Sequence, residues 1–111
     1  MATINSFYFI PNWIGIKFYD SETVSRSPML HCEVSQVPTD VSLRYEIITD
    51  GVNVEILNSS HSHTMQVTED DFRKEIKFKK KASGVKKDFY VKVTASTSND
   101  SAETRIKVKY A

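Results

Sequence analysis

Hydrophobic and polar residues alternate along most of this chain, most clearly in residues 88–110, DFYVKVTASTSNDSAETRIKVKY. Every second position of the first half carries an apolar side chain: Phe89, Val91, Val93 and Ala95. The second half repeats the pattern with Thr104, Ile106, Val108 and Tyr110. A period of two is typical of a half-buried strand. With the polar turn at residues 98–100 between them, the two halves predict an antiparallel hairpin.

Shorter alternating runs upstream predict further strands. Their apolar positions are Ile14, Ile16 and Phe18; Leu30, Cys32 and Val34; Leu43, Tyr45 and Ile47; Val52, Val54 and Ile56; Met65 and Val67; and Phe72, Ile76 and Phe78, the last run being broken at Lys74. The Asp50-Gly51 pair predicts a tight hairpin. The polar residues 68–71 predict at most one turn of helix, capped by Thr68.

This pattern predicts an all-β fold in a single domain over residues 1–111. About seven short strands, spaced about 10 residues apart and without an amphipathic helix, favour a single antiparallel β-sandwich. A closed barrel is the alternative, because alternation does not reveal how the sheet edges are covered. A chain of 111 residues can bury one hydrophobic core without disulfides.

A resemblance to a known fold family rests on the C-terminal segment. The spacing Phe89-x-Val91-x-Val93-x-Ala95, a polar turn, then Thr104-x-Ile106-x-Val108 resembles the final hairpin of immunoglobulin-like domains of the cadherin, fibronectin type III and bacterial or phage types. The resemblance implies an immunoglobulin-like sandwich. It does not imply an antibody-type domain, because Cys32 has no partner cysteine and Trp13 precedes it. The calcium motifs of cadherin repeats are missing, so no calcium site is implied.

Composition is that of an ordinary globular protein, with 40% hydrophobic and 26% charged residues. The single cysteine excludes an intramolecular disulfide and slightly favours the cytoplasm. No basic leader precedes the apolar N-terminal run, and no apolar run approaches the roughly 20 residues that span a bilayer. We therefore expect a soluble protein without a signal peptide or transmembrane segment.

Charge is divided along the sequence. Residues 1–72 carry three basic and ten acidic side chains, a balance of −7, whereas residues 73–111 carry twelve basic and four acidic ones, a balance of +8. The two portions could pair within the fold or meet between molecules. Pairing between molecules would favour head-to-tail association into a homo-oligomer.

The strongest local charge is the basic segment, residues 79–87, which contains Lys79, Lys80, Lys81, Lys86 and Lys87. Such a segment would attract phosphates or another polyanion, and the attraction would weaken as salt rises. The alternative is that the lysines serve solubility and protect sheet edges. Tyr90 is the outward aromatic residue closest to them, and aromatic residues are what nucleic-acid recognition usually adds.

Aromatic residues are concentrated near the N-terminus, where Phe7, Tyr8, Phe9 and Trp13 precede Phe18 and Tyr19. Both faces of the strand predicted at residues 7–10 are apolar. This strand either crosses between two sheets and packs on both, or is covered by another chain. The two possibilities are equal from the sequence.

No catalytic constellation or cofactor motif is visible. Cys32 has the pattern of a core residue, and Asp70 and Asp71 have that of a capped or solvated turn. His61 and His63 could hold a metal only if a third ligand converged, so we predict exposed histidines and no metal site.

These observations predict a non-enzymatic protein–protein interaction or structural module, for example in a larger surface or viral-type assembly. The first choice of partner is an acidic protein, which can be a second copy, facing Lys92, Arg105, Lys107 and Lys109 of the final hairpin. The alternative is binding of a polyanion or nucleic acid through the basic segment.

Overall fold

The computed structural model of the protein describes residues 2–19, 21–57 and 63–111. These residues form eleven strands and no helix. The strands are β1 (Ile4–Ile10), β2 (Trp13–Ile16), β3 (Thr23–Arg26), β4 (Met29–Val34), β5 (Thr39–Ile47), β6 (Val54–Ile56), β7 (His63–Val67), β8 (Asp71–Arg73), β9 (Ile76–Lys80), β10 (Phe89–Ser96) and β11 (Ser101–Tyr110). The all-β prediction is confirmed. Among the described residues, there is no helix long and apolar enough to cross a membrane.

The strands form three sheets. A five-stranded sheet has the order β2-β11-β10-β5-β7, and two three-stranded sheets have the orders β1-β4-β8 and β3-β9-β6. Neighbouring strands are antiparallel, except that β2 runs parallel to β11. The prediction of about seven strands was therefore too low for the described residues.

The two three-stranded sheets share one register. Arg26 opposes Ile76 in the β3–β9 pair. Met29, three positions later than Arg26, opposes Arg73, three positions earlier than Ile76, in the β4–β8 pair. Pro28 interrupts the ladder because it has no amide hydrogen to donate, although its carbonyl oxygen still accepts from the Lys74 amide at 3.4 Å. The two sheets therefore follow each other as a single broken layer.

The core lies between this broken layer and the five-stranded sheet. Leu43, Val91 and Ile106 face it from the five-stranded sheet, and Leu30 and Ile76 face it from the broken layer, all at 0% exposure. The rings of Phe78 and Phe89 meet edge to face with centroids 6.0 Å apart, which joins the layers at one end. The alternation read from the sequence thus identifies the buried face of these strands.

The final hairpin is confirmed. Strands β10 and β11 pair in continuous register from Phe89 opposite Val108 to Ser96 opposite Ser101. Thr97 and Asp100 close the turn, with the Thr97 amide donating to the Asp100 carbonyl oxygen at 2.8 Å. The Asp100 carboxylate also accepts from the Ile4 amide at 2.7 Å, so this turn fixes the start of β1.

One local prediction, the hairpin at Asp50-Gly51, is wrong. Asp50 and Gly51 do form a turn, and Gly51 has a φ of 78°, but β5 and β6 on either side of it belong to different sheets and form no hairpin. Both strands turn their apolar sides toward the same core, which alternation alone cannot distinguish from pairing side by side. Residues 68–70 form a bend that leads directly into β8, without a helical turn.

The chain crosses between sheets after the first strand. β1 pairs with β4 of the broken layer, whereas β2 pairs with β11 of the five-stranded sheet. Pro11 lies between them and cannot continue a ladder. The chain thus passes to the other sheet after Ile10, whereas residues 7–10 themselves pair with β4 in the broken layer; their coverage by another chain stays a prediction.

Candidate binding surfaces

The basic segment lies at one end of an elongated molecule that measures 44 × 21 × 18 Å. β9 ends at Lys80, and the chain returns through exposed residues 81–88 to begin β10. The five lysine ammonium groups of the basic segment lie more than 4.0 Å from every carboxylate oxygen of the described residues. We call this surface the basic end. Four described acidic residues lie there, namely Glu22, Asp50, Glu55 and Asp88. Glu55 is opposite Lys79 in the β6–β9 register, and the Asp88 carboxylate accepts from the Tyr110 amide.

Backbone contacts hold the basic segment against residues 51–53. The Val85 amide donates to the Gly51 carbonyl oxygen at 2.8 Å, and the Asn53 amide donates to the Val85 carbonyl oxygen at 3.0 Å. Gly84 makes this approach possible. It has a φ of 100°, and a Cβ there would lie 2.9 Å from backbone atoms of Val52 and Asn53. The lysines therefore project from a fixed loop.

The opposite end of the molecule is acidic. β4 and β10 end there, and β8 and β11 begin there. The acidic side chains at this end are Glu33, Asp40, Glu69, Asp70, Asp71, Asp100 and Glu103, and all except Asp100 are exposed. We call this surface the acidic end. The division of charge along the sequence thus becomes a partial division along the long axis: β8 and β9 carry the chain from the acidic end to the basic end, while Glu22, Asp50 and Glu55 of the acidic portion lie at the basic end.

A groove on the outer face of the five-stranded sheet brings together residues that are distant in the sequence. It is lined by Asn12, Trp13, Tyr90, Arg105, Lys107 and Lys109. Trp13 and Tyr90 both lie opposite Lys107 in the strand registers, one on each side of β11. The Lys109 ammonium lies 4.4 Å from the centroid of the Trp13 ring, a cation–π contact. We call this the aromatic–cationic groove.

Lys92 belongs to the same sheet face but is compensated. Its ammonium lies 3.7 Å from a carboxylate oxygen of Glu46 and 3.8 Å from one of Glu103. Both carboxylates come from strands adjacent to β10, so the three side chains form a row across the sheet. Of the four cations predicted to face a partner, Arg105, Lys107 and Lys109 have no described carboxylate within 4.0 Å.

The N-terminal aromatic residues are divided between core and surface. Phe9 is buried with 5% exposure, and Phe7 is half-buried against the core. Tyr8 and Trp13 are 46% and 48% exposed, but they lie on different sheets. The four residues therefore do not form one continuous aromatic surface, and only Trp13 joins the aromatic–cationic groove.

Tyr8 forms a cluster with His31 and Asp71 across β1, β4 and β8. The Tyr8 and His31 rings stack with centroids 4.6 Å apart, and His31 Nδ1 lies 2.6 Å from Asp71 Oδ1. A carboxylate that orients an imidazole is one part of a catalytic triad. Here no described serine, threonine or cysteine side chain hydrogen-bonds to the imidazole. The cluster acts as a set of cross-strand contacts on the sheet surface.

Cys32 is a core residue, as predicted. Its side chain has 0% exposure, and burial, with a smaller contribution from the charge of Asp70, raises the pKa of the thiol to about 11. The neutral thiol is a poor nucleophile. Tyr45 is buried in the same core with no hydrogen-bond partner for its hydroxyl, and burial raises its pKa as well.

The histidine pair cannot be placed as a metal site. His61 lies outside the described residues, and His63 begins β7. Within the described ranges, no group of three or more histidine, cysteine, aspartate or glutamate side chains could hold a metal ion. The expectation for the pair stays a prediction.

Comparison with known proteins identifies no family for this chain. No protein-family profile matches the chain, and no curated protein matches it. A solved structure similar to the chain is that of a conjugative transposon lipoprotein from Bacteroides eggerthii DSM 20697, with 9% identity and a TM-score of 0.36 over 95% of each chain. A TM-score this low carries no argument about fold or function, so the proposals below rest on the geometry of this protein.

Sequence reasoning identified most of these residues but not their grouping. Alternation placed Tyr90 and Lys107 on the outward face, whereas nothing in the sequence indicates that Trp13 lies beside Lys107. The parallel pairing of β2 with β11 creates that contact. The contact of His31 with Asp71 was missed for the same reason, because it depends on the pairing of β4 with β8.

Proposed function

We propose that this protein is a non-enzymatic interaction module of the immunoglobulin-like sandwich type, which associates head to tail through its two charged ends. The observation that carries the proposal is the separation of charge along the 44 Å axis. One end presents the five lysines of the basic segment, and the other presents a cluster of exposed carboxylates. Each molecule therefore offers both halves of a complementary contact.

The strand order supports the immunoglobulin-like assignment. In that fold, one sheet contains strands A, B, E and D, and the other contains C, F and G, with C′ beside C in larger variants. If β3 and β4 are one broken strand B, and β8 and β9 one broken strand E, the broken layer has the order A-B-E-D with β1 as A and β6 as D. Strands β11, β10 and β5 then have the order G-F-C, and β7 occupies the position of C′ beside β5. It differs from C′ in chain order, because β7 follows the D strand β6 instead of preceding it.

Head-to-tail contact has a defined physical character. An interface between two different surfaces of the same chain does not close on itself unless a rotation brings it into a ring, so it produces open chains. Contacts between exposed lysines and carboxylates are individually weak, about 0–1 kcal/mol, and are screened by salt. We therefore expect association at high protein concentration and low ionic strength, and dissociation at about 0.3 M salt.

Light scattering after size exclusion tests this proposal. At low salt, the wild type should show a mass that rises with concentration. The variant Lys86→Glu/Lys87→Glu should remain monomeric because it reverses the charge of the basic end, and Glu69→Lys/Asp70→Lys should do so at the acidic end. The control Arg44→Glu/Lys77→Glu changes the net charge equally at exposed positions away from both ends, and it should associate like the wild type.

Mixing the two reversed variants gives a sharper result. Each keeps one native end, so the basic end of one can contact the acidic end of the other. Association should therefore return in the mixture, although each variant alone is monomeric. A wild type that stays monomeric at every concentration and salt would contradict the proposal, and so would association that the reversals leave unchanged.

A second candidate function is binding of a polyanion through the basic segment. It is favoured by the backbone contacts that hold the loop, and by the finding that no described carboxylate lies within 4.0 Å of these five lysine ammonium groups. Fixed, uncompensated lysines attract phosphate or sulfate groups. Retention on a heparin column that is lost in Lys86→Glu/Lys87→Glu, with a wild type that does not associate with itself, would favour this candidate over head-to-tail association.

A further inference from the structure

The aromatic–cationic groove has the composition of a stacking site. Trp13, Lys107 and Tyr90 lie side by side across β2, β11 and β10, so the two rings are separated by two strand spacings, about 10 Å. Both rings are close to half exposed, at 48% and 45%. Two outward aromatic side chains on a sheet, with a cation between them, can each receive a planar group while the cation holds an anion.

Charge in the groove is of one sign. Arg105, Lys107 and Lys109 occupy successive outward positions of β11, and no described acidic side chain lines the groove. Lys92, the next cation on this face, is already compensated by Glu46 and Glu103. Arg105 and Lys107 are therefore available to an anionic ligand, whereas Lys109 lies over the Trp13 ring and has to leave that position for a base to stack on the same ring face.

A glycine leaves space beside the indole. Gly15 opposes Lys109 in the register and lies two positions from Trp13 on the same face of β2. A Cβ at this position would meet only the Lys109 carbonyl oxygen, at 4.0 Å, so the fold does not require a glycine here. Glycine within a strand often marks a place where a ligand approaches the backbone closely.

These features favour one class of ligand. A duplex keeps its bases stacked inside the helix, where side chains on an outward sheet face cannot stack on them, whereas single strands expose their bases. An acidic peptide could neutralise the cations, but aspartate and glutamate have no planar ring to stack on Trp13 and Tyr90. We infer that the groove binds single-stranded nucleic acid, with bases stacked on Trp13 and Tyr90 and phosphates paired with Arg105, Lys107 and Lys109. This site goes beyond head-to-tail association and uses none of the lysines of the basic end.

Trp13 is the only tryptophan of the chain, so its fluorescence reports on the site directly. Titration of the wild type with an oligothymidylate of about 12 nucleotides should quench this fluorescence saturably, because a stacked base contacts the indole. Three phosphate contacts predict a slope of roughly −2 when log affinity is plotted against log salt concentration. Anisotropy of a labelled oligonucleotide gives the same affinity independently and can be used for variants that lack Trp13.

Variants separate stacking from charge. Trp13→Ala and Tyr90→Ala should each weaken binding roughly tenfold or more, and Trp13→Phe should retain most of it. Gly15→Val should fold normally but weaken binding by filling the space beside the indole. Two matched controls should bind like the wild type: Tyr19→Ala, which removes a ring that is 80% exposed outside the groove, and Lys86→Gln/Lys87→Gln, which removes charge from the basic end.

Several results would overturn the inference. Binding that survives Trp13→Ala and Tyr90→Ala, or that leaves the Trp13 fluorescence unchanged, would show that bases do not stack here. Loss of binding in Lys86→Gln/Lys87→Gln, with no effect of the groove variants, would assign the oligonucleotide to the basic end. Equal or tighter binding of heparin, unaffected by Trp13→Ala, would show a site that recognises negative charge alone. Each of these results is distinct from a failure of self-association, which is measured without nucleic acid.

Discussion

At the scale of single residues, Cys32 links burial to stability. Its thiol ionises near 9.0 when unperturbed, and the fold raises that pKa to about 11. Because the pKa is raised by folding, the stability that the buried neutral thiol contributes is fully present below pH 9. It is lost as the pH rises toward 11, since in that range the thiol ionises in the unfolded chain but stays neutral in the folded one. A shift of about two pKa units corresponds to about 3 kcal/mol at most. Wild-type stability should therefore fall above pH 9.

Urea unfolding of the wild type and of Cys32→Ala, at about pH 7.5 and about pH 10.5, measures this contribution. At the lower pH, the variant should be less stable by about 1–2 kcal/mol because it leaves a small cavity. At the higher pH, the difference should shrink or reverse, since the variant has no thiol to ionise. The other ionisable side chains are the same in both proteins, so the comparison isolates the thiol. Parallel loss of stability in the two proteins would contradict the argument.

At the scale of elements, the basic segment depends on Gly84. Replacement by alanine would impose a side chain on a residue with a φ of 100° and bring its Cβ within 2.9 Å of backbone atoms. Backbone atoms cannot move aside as a flexible side chain would. We expect Gly84→Ala to lower the free energy of unfolding by about 2 kcal/mol or more, and the melting temperature by several degrees. Thermal unfolding followed by circular dichroism measures the effect.

Gly15→Ala is the matched control for this substitution. Gly15 has no positive φ, and its added Cβ would have an ordinary contact, so alanine should be neutral or slightly stabilising. The backbone contacts of residues 84 and 85 with residues 51–53 should loosen in Gly84→Ala alone, which hydrogen exchange at the Val85 and Asn53 amides would detect. Equal melting temperatures for the two variants would show that the loop does not need its observed conformation.

The same scale shows what could be predicted from the sequence. Alternation identified the buried side chains of the final hairpin, and the irregular position of Lys74 marked the break between β8 and β9. It could not identify strand neighbours, since a strand presents the same pattern whichever partner it has. The Asp50-Gly51 turn was therefore interpreted as a hairpin although it connects two sheets. Trp13 reached the aromatic–cationic groove through a parallel pairing that no local signal reveals.

At the scale of the whole molecule, the sequence predicted that charge is divided between two portions of the chain. It did not predict whether these portions pair with each other or lie at opposite ends of the molecule. The balances of −7 and +8 are visible in the sequence, yet they allowed compensation within the fold. Compensation would require the acidic and basic portions to pair along their length. Instead, β8 and β9 run from the acidic end to the basic end, so like charges gather at each end of the long axis. This arrangement has opposite consequences for the stability of one molecule and for the association of several.

Within one molecule, like charges at each end repel, and unfolding relieves this repulsion. Salt screens it, so the melting temperature of dilute, monomeric protein should rise by a few degrees between low ionic strength and about 0.3 M sodium chloride. The same addition should dissociate head-to-tail contacts. Lys86→Gln/Lys87→Gln should melt higher than the wild type at low salt and respond less to salt. Lys92→Gln should melt lower, because it leaves Glu46 and Glu103 uncompensated. A melting temperature that falls as salt is added would show that attraction, rather than repulsion, dominates within the folded chain.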